Sequence, residues 1–202
     1  TQIWEVKQLG IYHLHATTMD DAAGEAFDKG ARILQLGYPG GPEIEKVAVN
    51  GDPLSFPFKI PQIKQHPLNF SFSGLKTSIL YKTRDMSEDQ LAKNLKNIAA
   101  SYQEVIIDTL LDRLEKVLHQ TSISNISITG GVAANQRFRE KANILSHSRS
   151  AKLYFPPLEY CTDNAAMIAM ASYQQLQAGY QSPLNLEAQP NLALDEGQTV
   201  YK

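Results

Sequence analysis

From Leu91 to Val117 the chain repeats apolar residues at steps of three and four: Leu91, Leu95, Ile98, Tyr102, Val105, Ile106, Leu110, Leu114 and Val117. Such spacing is one face of an α-helix sustained for about seven turns. Just before it, "SEDQ" (Ser87 to Gln90) is a capping box, in which the Ser and the Gln satisfy each other's backbone N–H groups. No other segment constrains the fold as strongly.

Shorter signals surround that helix. "TQIWEVKQLGIYHLHAT" predicts a hairpin that turns at Gly10. "MDDAAGEAFDKGARILQLG" predicts a helix capped by Asp20 or Asp21 and ended by Gly37. "YPGGPEIEKVAVNG" predicts a glycine turn, a short helix started by proline and a stop at Gly51. Residues 52–69, rich in Pro and aromatics, predict an irregular crossing segment. "FSFSGLKTSILYKTRD" is strand-like at first and ambiguous afterwards. A strand is expected over 125–129, then a glycine turn and a helix to about His147. "AKLYFPP" predicts a short strand. "TDNAAMIAMASYQQLQAG" predicts a helix, apolar nearly all round in its first half and therefore expected to be buried. The tail after Pro183 is expected to be loop. Strands and helices alternate in the second half, which makes the class α/β with a sizeable helical insertion.

Composition narrows the function classes only slightly. The 202 residues carry a net charge of −2, so no global basic field announces nucleic acid, though a local patch suffices. The single cysteine, Cys161, rules out an intrachain disulfide and fits a reducing, cytoplasmic setting. No apolar run approaches the roughly 18 residues needed to span a membrane. The chain begins in what looks like the middle of a strand, as expected of part of a longer protein.

Several constellations admit two readings each. In "ITGGVAANQRFRE", Gly130 and Gly131 separate a strand from a helix. This is an ordinary βα connection, or a turn that aims backbone N–H groups at an anion. Asp21, Glu25 and Asp28 share a helical face, either as a solvated stripe with a Glu25–Lys29 pair or as acceptors for ribose hydroxyls or a cation. "LGYPGGP" contains a second double glycine, including Gly41, which is a helix stop or a close approach to a ligand. Asp163 is a helix N-cap or a metal ligand. His13 and His15 share a strand face; His66, His119 and His147 are scattered. "FSFSGLKTS" is a packed strand and turn, or a platform for a base.

Four stretches taken in order, "DDAAGEAFDKGARILQLGYPGGPEIEKVA", "FSFSGLKT", "TGGVAANQRFR" and "CTDNAAMIA", resemble the TsaD/Gcp family. Its members are the tRNA adenosine threonylcarbamoyltransferases once called O-sialoglycoprotein endopeptidases. The likeness extends to about residue 178. It implies the actin/hexokinase/Hsp70-like ATPase fold (RNase H-like), two lobes around a nucleotide cleft. Residues 1–202 are expected to be the second lobe alone, with a helical insertion at roughly 38–122 and the N-terminal lobe absent. A glycine-rich family segment like "SGGHTQ" survives as Thr1 and Gln2.

By the same resemblance, Asp28, Gly41 and Asn135 contact ATP or the threonylcarbamoyl-adenylate, with Gly130 and Gly131 making room for its adenosine side. Asp163 is one ligand of a divalent metal ion, iron or zinc, whose two histidine ligands belong to an H-x-x-x-H motif absent from this chain. Cys161 is a bystander. The implied reaction moves the threonylcarbamoyl group from threonylcarbamoyl-AMP to N6 of adenosine 37 in tRNA, with other proteins of that pathway as partners. No catalytic side chain is assigned with certainty, and the chain is expected to be inactive alone. The alternatives are a non-catalytic scaffold that partners the transferase, a sugar- or acetate-kinase-like phosphotransferase, against which the "DDAAGEAFDK" block argues, and a metallopeptidase, for which the chain offers no H-E-x-x-H arrangement. Self-association through apolar surface left bare by the absent lobe is a further expectation.

Overall fold

The computed structural model describes residues 1–187. In chain order its elements are β1 (Gln2–Gln8), β2 (Ile11–Thr17), α1 (Ala23–Ile33), α2 (Gly40–Ala48), α3 (Ser73–Thr83), α4 (Glu88–Gln120), β3 (Asn125–Ser127), α5 (Gln136–Ser148), β4 (Lys152–Tyr154) and α6 (Ala165–Gln177). Single 3₁₀ turns lie at Gly131–Ala134 and Leu158–Tyr160. β1 and β2 pair antiparallel, with Glu5 opposite His13. β3 and β4 pair parallel, with Ile126 opposite Leu153. The class is α/β. The expected loop tail after Pro183 falls largely on residues 188–202, outside the described residues.

α4 is the spine. Ser87 Oγ accepts from Gln90 N–H at 3.3 Å and Gln90 Oε1 accepts from Ser87 N–H at 2.8 Å, so the capping box forms. Ile98, Tyr102, Val105, Ile106, Leu110 and Val117 are buried, and Leu91, Leu95 and Leu114 pack half-buried against the same core. Ala99, Ile107, Thr109 and Leu111 are buried as well, so the middle of α4 is enclosed on more than its predicted face. Each fully buried Ile there contributes about 1.5–3 kcal/mol.

The crossing segment 52–69 has neither helix nor strand, as expected. It is held by Arg113 of α4, whose side chain is fully buried. Its guanidinium donates to the Pro61 carbonyl at 2.6 Å and the Asn69 carbonyl at 3.2 Å and pairs with Asp112. Removing it strands buried acceptors. Arg113→Met is expected to cost about 3 kcal/mol, read as a lower denaturant midpoint at unchanged m-value. An unchanged midpoint would show that the segment is anchored by its apolar side chains alone.

The structure corrects the start and end of α1. Asp20 does not cap it. Its Oδ1 accepts from the N–H groups of Asp21 (2.7 Å), Phe72 (2.8 Å) and Ser73 (3.3 Å), and its Oδ2 from the hydroxyls of Ser71 (2.6 Å) and Ser73 (2.7 Å). It therefore organises the start of α3; the strand-like Phe70 before it pairs with Thr18 in an isolated parallel bridge, and the ambiguous remainder of the segment is the helix. The α1 cap position is Ala22, whose N–H is met by Glu25 Oε2 at 3.0 Å. The helix ends before Gly37, because Gln35 takes the left-handed conformation at φ 57°.

Burial alone would raise the Asp20 carboxyl. The Ser71 hydroxyl, the Phe72 amide and both groups of Ser73 outweigh it and pull the value from 3.8 to about 2. The fold thus favours the ionised form. Its stabilisation is complete above pH about 4 and disappears as pH falls toward 2. Wild-type protein is expected to lose melting temperature over that interval, and Asp20→Asn to show a flatter acid limb. Superimposable pH profiles for the two proteins would refute this.

α6 departs most from expectation. None of its residues is buried, and Ile168 and Tyr173 are 61% and 58% exposed. An apolar helix is buried only if an apolar surface encloses it; here Val6, Leu9 and Tyr12 of the hairpin share a groove with Tyr173, Gln174 and Gln177 of α6 without burying the helix. Its N-cap is Asn164, whose Oδ1 accepts from Met167 N–H at 3.0 Å, and not Asp163. No helix among the described residues is long and apolar enough to cross a membrane.

Candidate functional site: a cavity between the helices and the glycine turn

A cavity of about 690 Å³ lies between α1, the start of α2, the second half of α4 and the turn after β3. Its size is in the range of small-molecule sites. The structure brings Asp28, Gly41, Gly130, Gly131 and Asn135 to this one cavity, from segments more than a hundred residues apart in sequence. Asp163 does not line it, although its neighbour Thr162 does.

Asp28 is placed by close packing of α1 on α2. Its Oδ1 accepts from Gly40 N–H at 2.7 Å. A Cβ at Gly40 would stand 2.6 Å from Asp28 Cα and 2.7 Å from the Phe27 carbonyl oxygen, so only glycine permits the approach. At Gly41 and Gly131 an added Cβ would meet nothing within 4 Å. These two glycines leave open space rather than fill a tight contact. Gly130 is different, because its φ of 92° suits glycine alone. The three carboxylates of the predicted stripe are spent separately. Asp21 pairs with Lys29, which leaves Glu25 without the expected lysine partner, Glu25 meets Ala22, and Asp28 meets Gly40.

Asn135 ends the glycine turn and caps α5, its Oδ1 accepting from Phe138 N–H at 2.9 Å. Its Nδ2 donates to Gln103 Oε1 of α4 at 2.8 Å. One N–H of that amide and one oxygen lone pair remain for a ligand. Glu45 of α2 accepts from Gln136 N–H at 2.6 Å, tying α2 to the same helix start. Arg137 makes a two-bond fork with Glu104, both contacts 2.9 Å. Burial opposes ionisation of Glu104, and the hydrogen bonds from Arg137 and Lys141 overcome it and hold its carboxyl below the usual range.

Gln103 and Arg139 matter here without any mark in the local sequence. Arg139 Nε donates to the Ala133 carbonyl at 2.6 Å and its Nη2 to the Pro156 carbonyl at 3.0 Å, and the guanidinium lies 4.7 Å from the Phe155 ring centre. It braces the glycine turn against the loop that leads to Asp163. Cys161 is buried in that loop, within 3.4 Å of the same guanidinium.

Other candidates fall away from ligand chemistry. Phe70 and Phe72 are buried, with ring centres 6.0 Å apart, so neither is free to stack a base. His15 bonds Glu5 at 3.0 Å, which draws the Glu5 carboxyl below its ordinary value. Among the described residues no three His, Cys, Asp or Glu side chains gather to hold a metal ion. Asp163 is exposed, and no hydrogen bond or ion pair engages its carboxylate among those residues. One carboxylate does not make a metal site.

Comparison with known proteins follows the same boundaries. The family model TsaD, described as tRNA N6-adenosine threonylcarbamoyltransferase, matches residues 1–170. The chain belongs to the TsaD family. The TsaD match takes in the whole cavity, Asp163 and the first turns of α6. Curated TsaD relatives of the same name include one from Thermosipho africanus, 48% identical over 194 residues, covering 96% of this chain and 58% of the relative. One from Fervidobacterium nodosum is 46% identical, covering 95% and 57%. One from Synechocystis sp. is 40% identical over 207 residues, covering 100% and 60%. The chain thus spans less than two thirds of the length of these relatives. The TsaD family is a family of enzymes, named for threonylcarbamoyl transfer.

Proposed function

We propose that this chain is the adenylate-binding part of a tRNA N6-adenosine threonylcarbamoyltransferase. It would hold threonylcarbamoyl-AMP while N6 of adenosine 37 attacks the carbamoyl carbon. A new N–C bond forms, the bond from that carbon to the phosphate oxygen breaks, AMP leaves with the electron pair, and N6 gives up a proton. The observation that carries the reading is the convergence of Asp28, Gly41, Gly130, Gly131 and Asn135 on one cavity, within a chain of this family.

Each residue has a definite task in that reading. Asp28 keeps one carboxylate oxygen on Gly40 and offers the other to a ribose hydroxyl. Gly130 and Gly131 let the adenylate approach the backbone of the turn. Asn135 presents its remaining amide groups. Asp163 would supply one carboxylate to a divalent iron or zinc ion, whose other ligands would come from outside this chain. When bound, such an ion polarises a carbonyl and offsets phosphate charge. Other t6A-pathway proteins would act alongside the chain, in a cytoplasmic setting. We expect the chain alone to bind the adenylate without transferring the group.

The open space at Gly41 and Gly131 gives a clean test. Gly41→Leu and Gly131→Leu should fold normally and fill the cavity instead. Titration calorimetry of the full-length protein with AMP is expected to show roughly tenfold or greater loss of affinity for each, or about 1.4 kcal/mol, without loss of melting temperature. Wild-type affinity in both variants would remove the cavity from the reading.

A further inference from the structure

Residues 53–84 hold Lys59, Lys64, Lys76, Lys82 and Arg84 and not one Asp or Glu. Five of the chain's 19 Lys and Arg thus fall in a stretch without an acid, bordered by Asp52 and Asp85. The rest of the chain is strongly acidic, and this stretch is a cationic island within it.

One contact ties α3 to the crossing segment, and four of the five cations are exposed. Lys82 of α3 lies 5.3 Å from the Phe58 ring centre, which joins α3 to the crossing segment. Lys59, Lys64, Lys76 and Arg84 are exposed. Arg84 lies 4.7 Å from the ring centre of Tyr81, itself 59% exposed. Arg84 pairs only with exposed Asp85, at 3.2 Å. No ion pair engages Lys59, Lys64 or Lys76 among the described residues. Asp20, the acid at the foot of α3, is spent on Ser71, Phe72 and Ser73. The same stretch passes through Phe70, which lines the cavity.

Gathering cations, three of them without an ion pair among the described residues, near an exposed aromatic costs self-repulsion. A polyanion repays it through counterion release, and an aromatic flanked by arginine suits unpaired bases. We propose that the outer face of α3 and the crossing segment form the surface on which the phosphate backbone of the tRNA docks beside the cavity. The inference rests on the tRNA reading above.

The test uses full-length protein and tRNA, with fluorescence anisotropy across a potassium chloride series. Lys59→Gln, Lys64→Gln, Lys76→Gln and Arg84→Gln combined should lower affinity tenfold or more. The slope of log K against log salt should become shallower by about 3, since each of the four lost phosphate contacts removes roughly 0.7–0.9. Exchanging the same lysines for Arg and Arg84 for Lys should preserve binding, as should neutralising Lys93, Lys96 and Lys152 together. AMP affinity should not change in any of them. Unchanged tRNA affinity and slope in the fourfold variant would overturn the surface. So would an equal loss in the Lys93, Lys96 and Lys152 control, or loss in the charge-conserving variant. Wild-type protein that binds AMP but no tRNA would instead overturn the tRNA reading itself, and the surface with it.

Discussion

Asp163→Asn in the full-length protein is expected to lower threonylcarbamoyl transfer to tRNA by roughly 100-fold or more, with bound metal lost in proportion. Melting temperature without added metal should move by only about 1 °C. The structure sharpens this contrast. Asn164 and not Asp163 accepts the Met167 N–H at the head of α6, so the exchange leaves the cap untouched. A capping role would have cost about 0.5–2 kcal/mol on replacement by Ala. Asp163→Ala should therefore be as stable as Asp163→Asn and equally inactive. Mass spectrometry of the modified tRNA, metal analysis and thermal melting on both variants check the three quantities together. A variant with full metal content and near-normal transfer would show that Asp163 has no part in the reaction.

Gly40→Ala is expected to be the most disruptive small change near the cavity. The added methyl would sit 2.6 Å from Asp28 Cα, 2.7 Å from the Phe27 carbonyl oxygen and 2.9 Å from Ala31 Cβ. Two of these three are backbone atoms, so α1 and α2 must separate to admit it. A cost of about 3 kcal/mol, or a fall of roughly 10 °C in melting temperature, follows. Adenylate affinity should fall too, because Asp28 loses its fixed partner at Gly40 N–H. The neighbouring Gly41→Ala is the control. Its methyl meets nothing within 4 Å, and alanine favours a helix over glycine by up to about 1 kcal/mol. The two adjacent substitutions should thus move stability in opposite directions. Equal effects would mean that the α1–α2 contact is looser than its geometry indicates.

What could be read in advance divides along the range of the forces involved. α4 was legible because a three- and four-residue period is a local property of the chain, and its capping box is four residues long. The hairpin at Gly10 and the strand–glycine–helix order around Gly130 were legible for the same reason. Asp20 was not, because its partners Ser71, Phe72 and Ser73 lie some fifty residues away. The sequence offers Asp163 as a cap of α6, yet Asn164 takes that position; nothing local points to it, since both side chains cap well. The hydrophobicity of α6 states a preference for burial, but not whether a receiving surface is present. "FSFSG" carries strand residues, and Phe70 does bridge to Thr18, but the bonds to Asp20 turn the chain into a helix from Ser73 onward. The candidate site residues came from family likeness. Gln103 and Arg139, which hold the glycine turn in place, carry no local signature at all.

One wall of the cavity is the second half of α4, through Leu110, Leu114 and Val117, and the opposite wall is a glycine turn whose Gly130 and Gly131 are exposed. The two walls belong to units of different opening free energy. Amide hydrogens of the enclosed middle of α4 would exchange only when the whole protein unfolds, whereas those of the turn would exchange through local fluctuation. A ligand entering between them meets one fixed surface and one compliant one. Any rearrangement on binding therefore falls to residues 129–135, and through the Asn135 cap the entropy lost in ordering that turn is felt directly by α5.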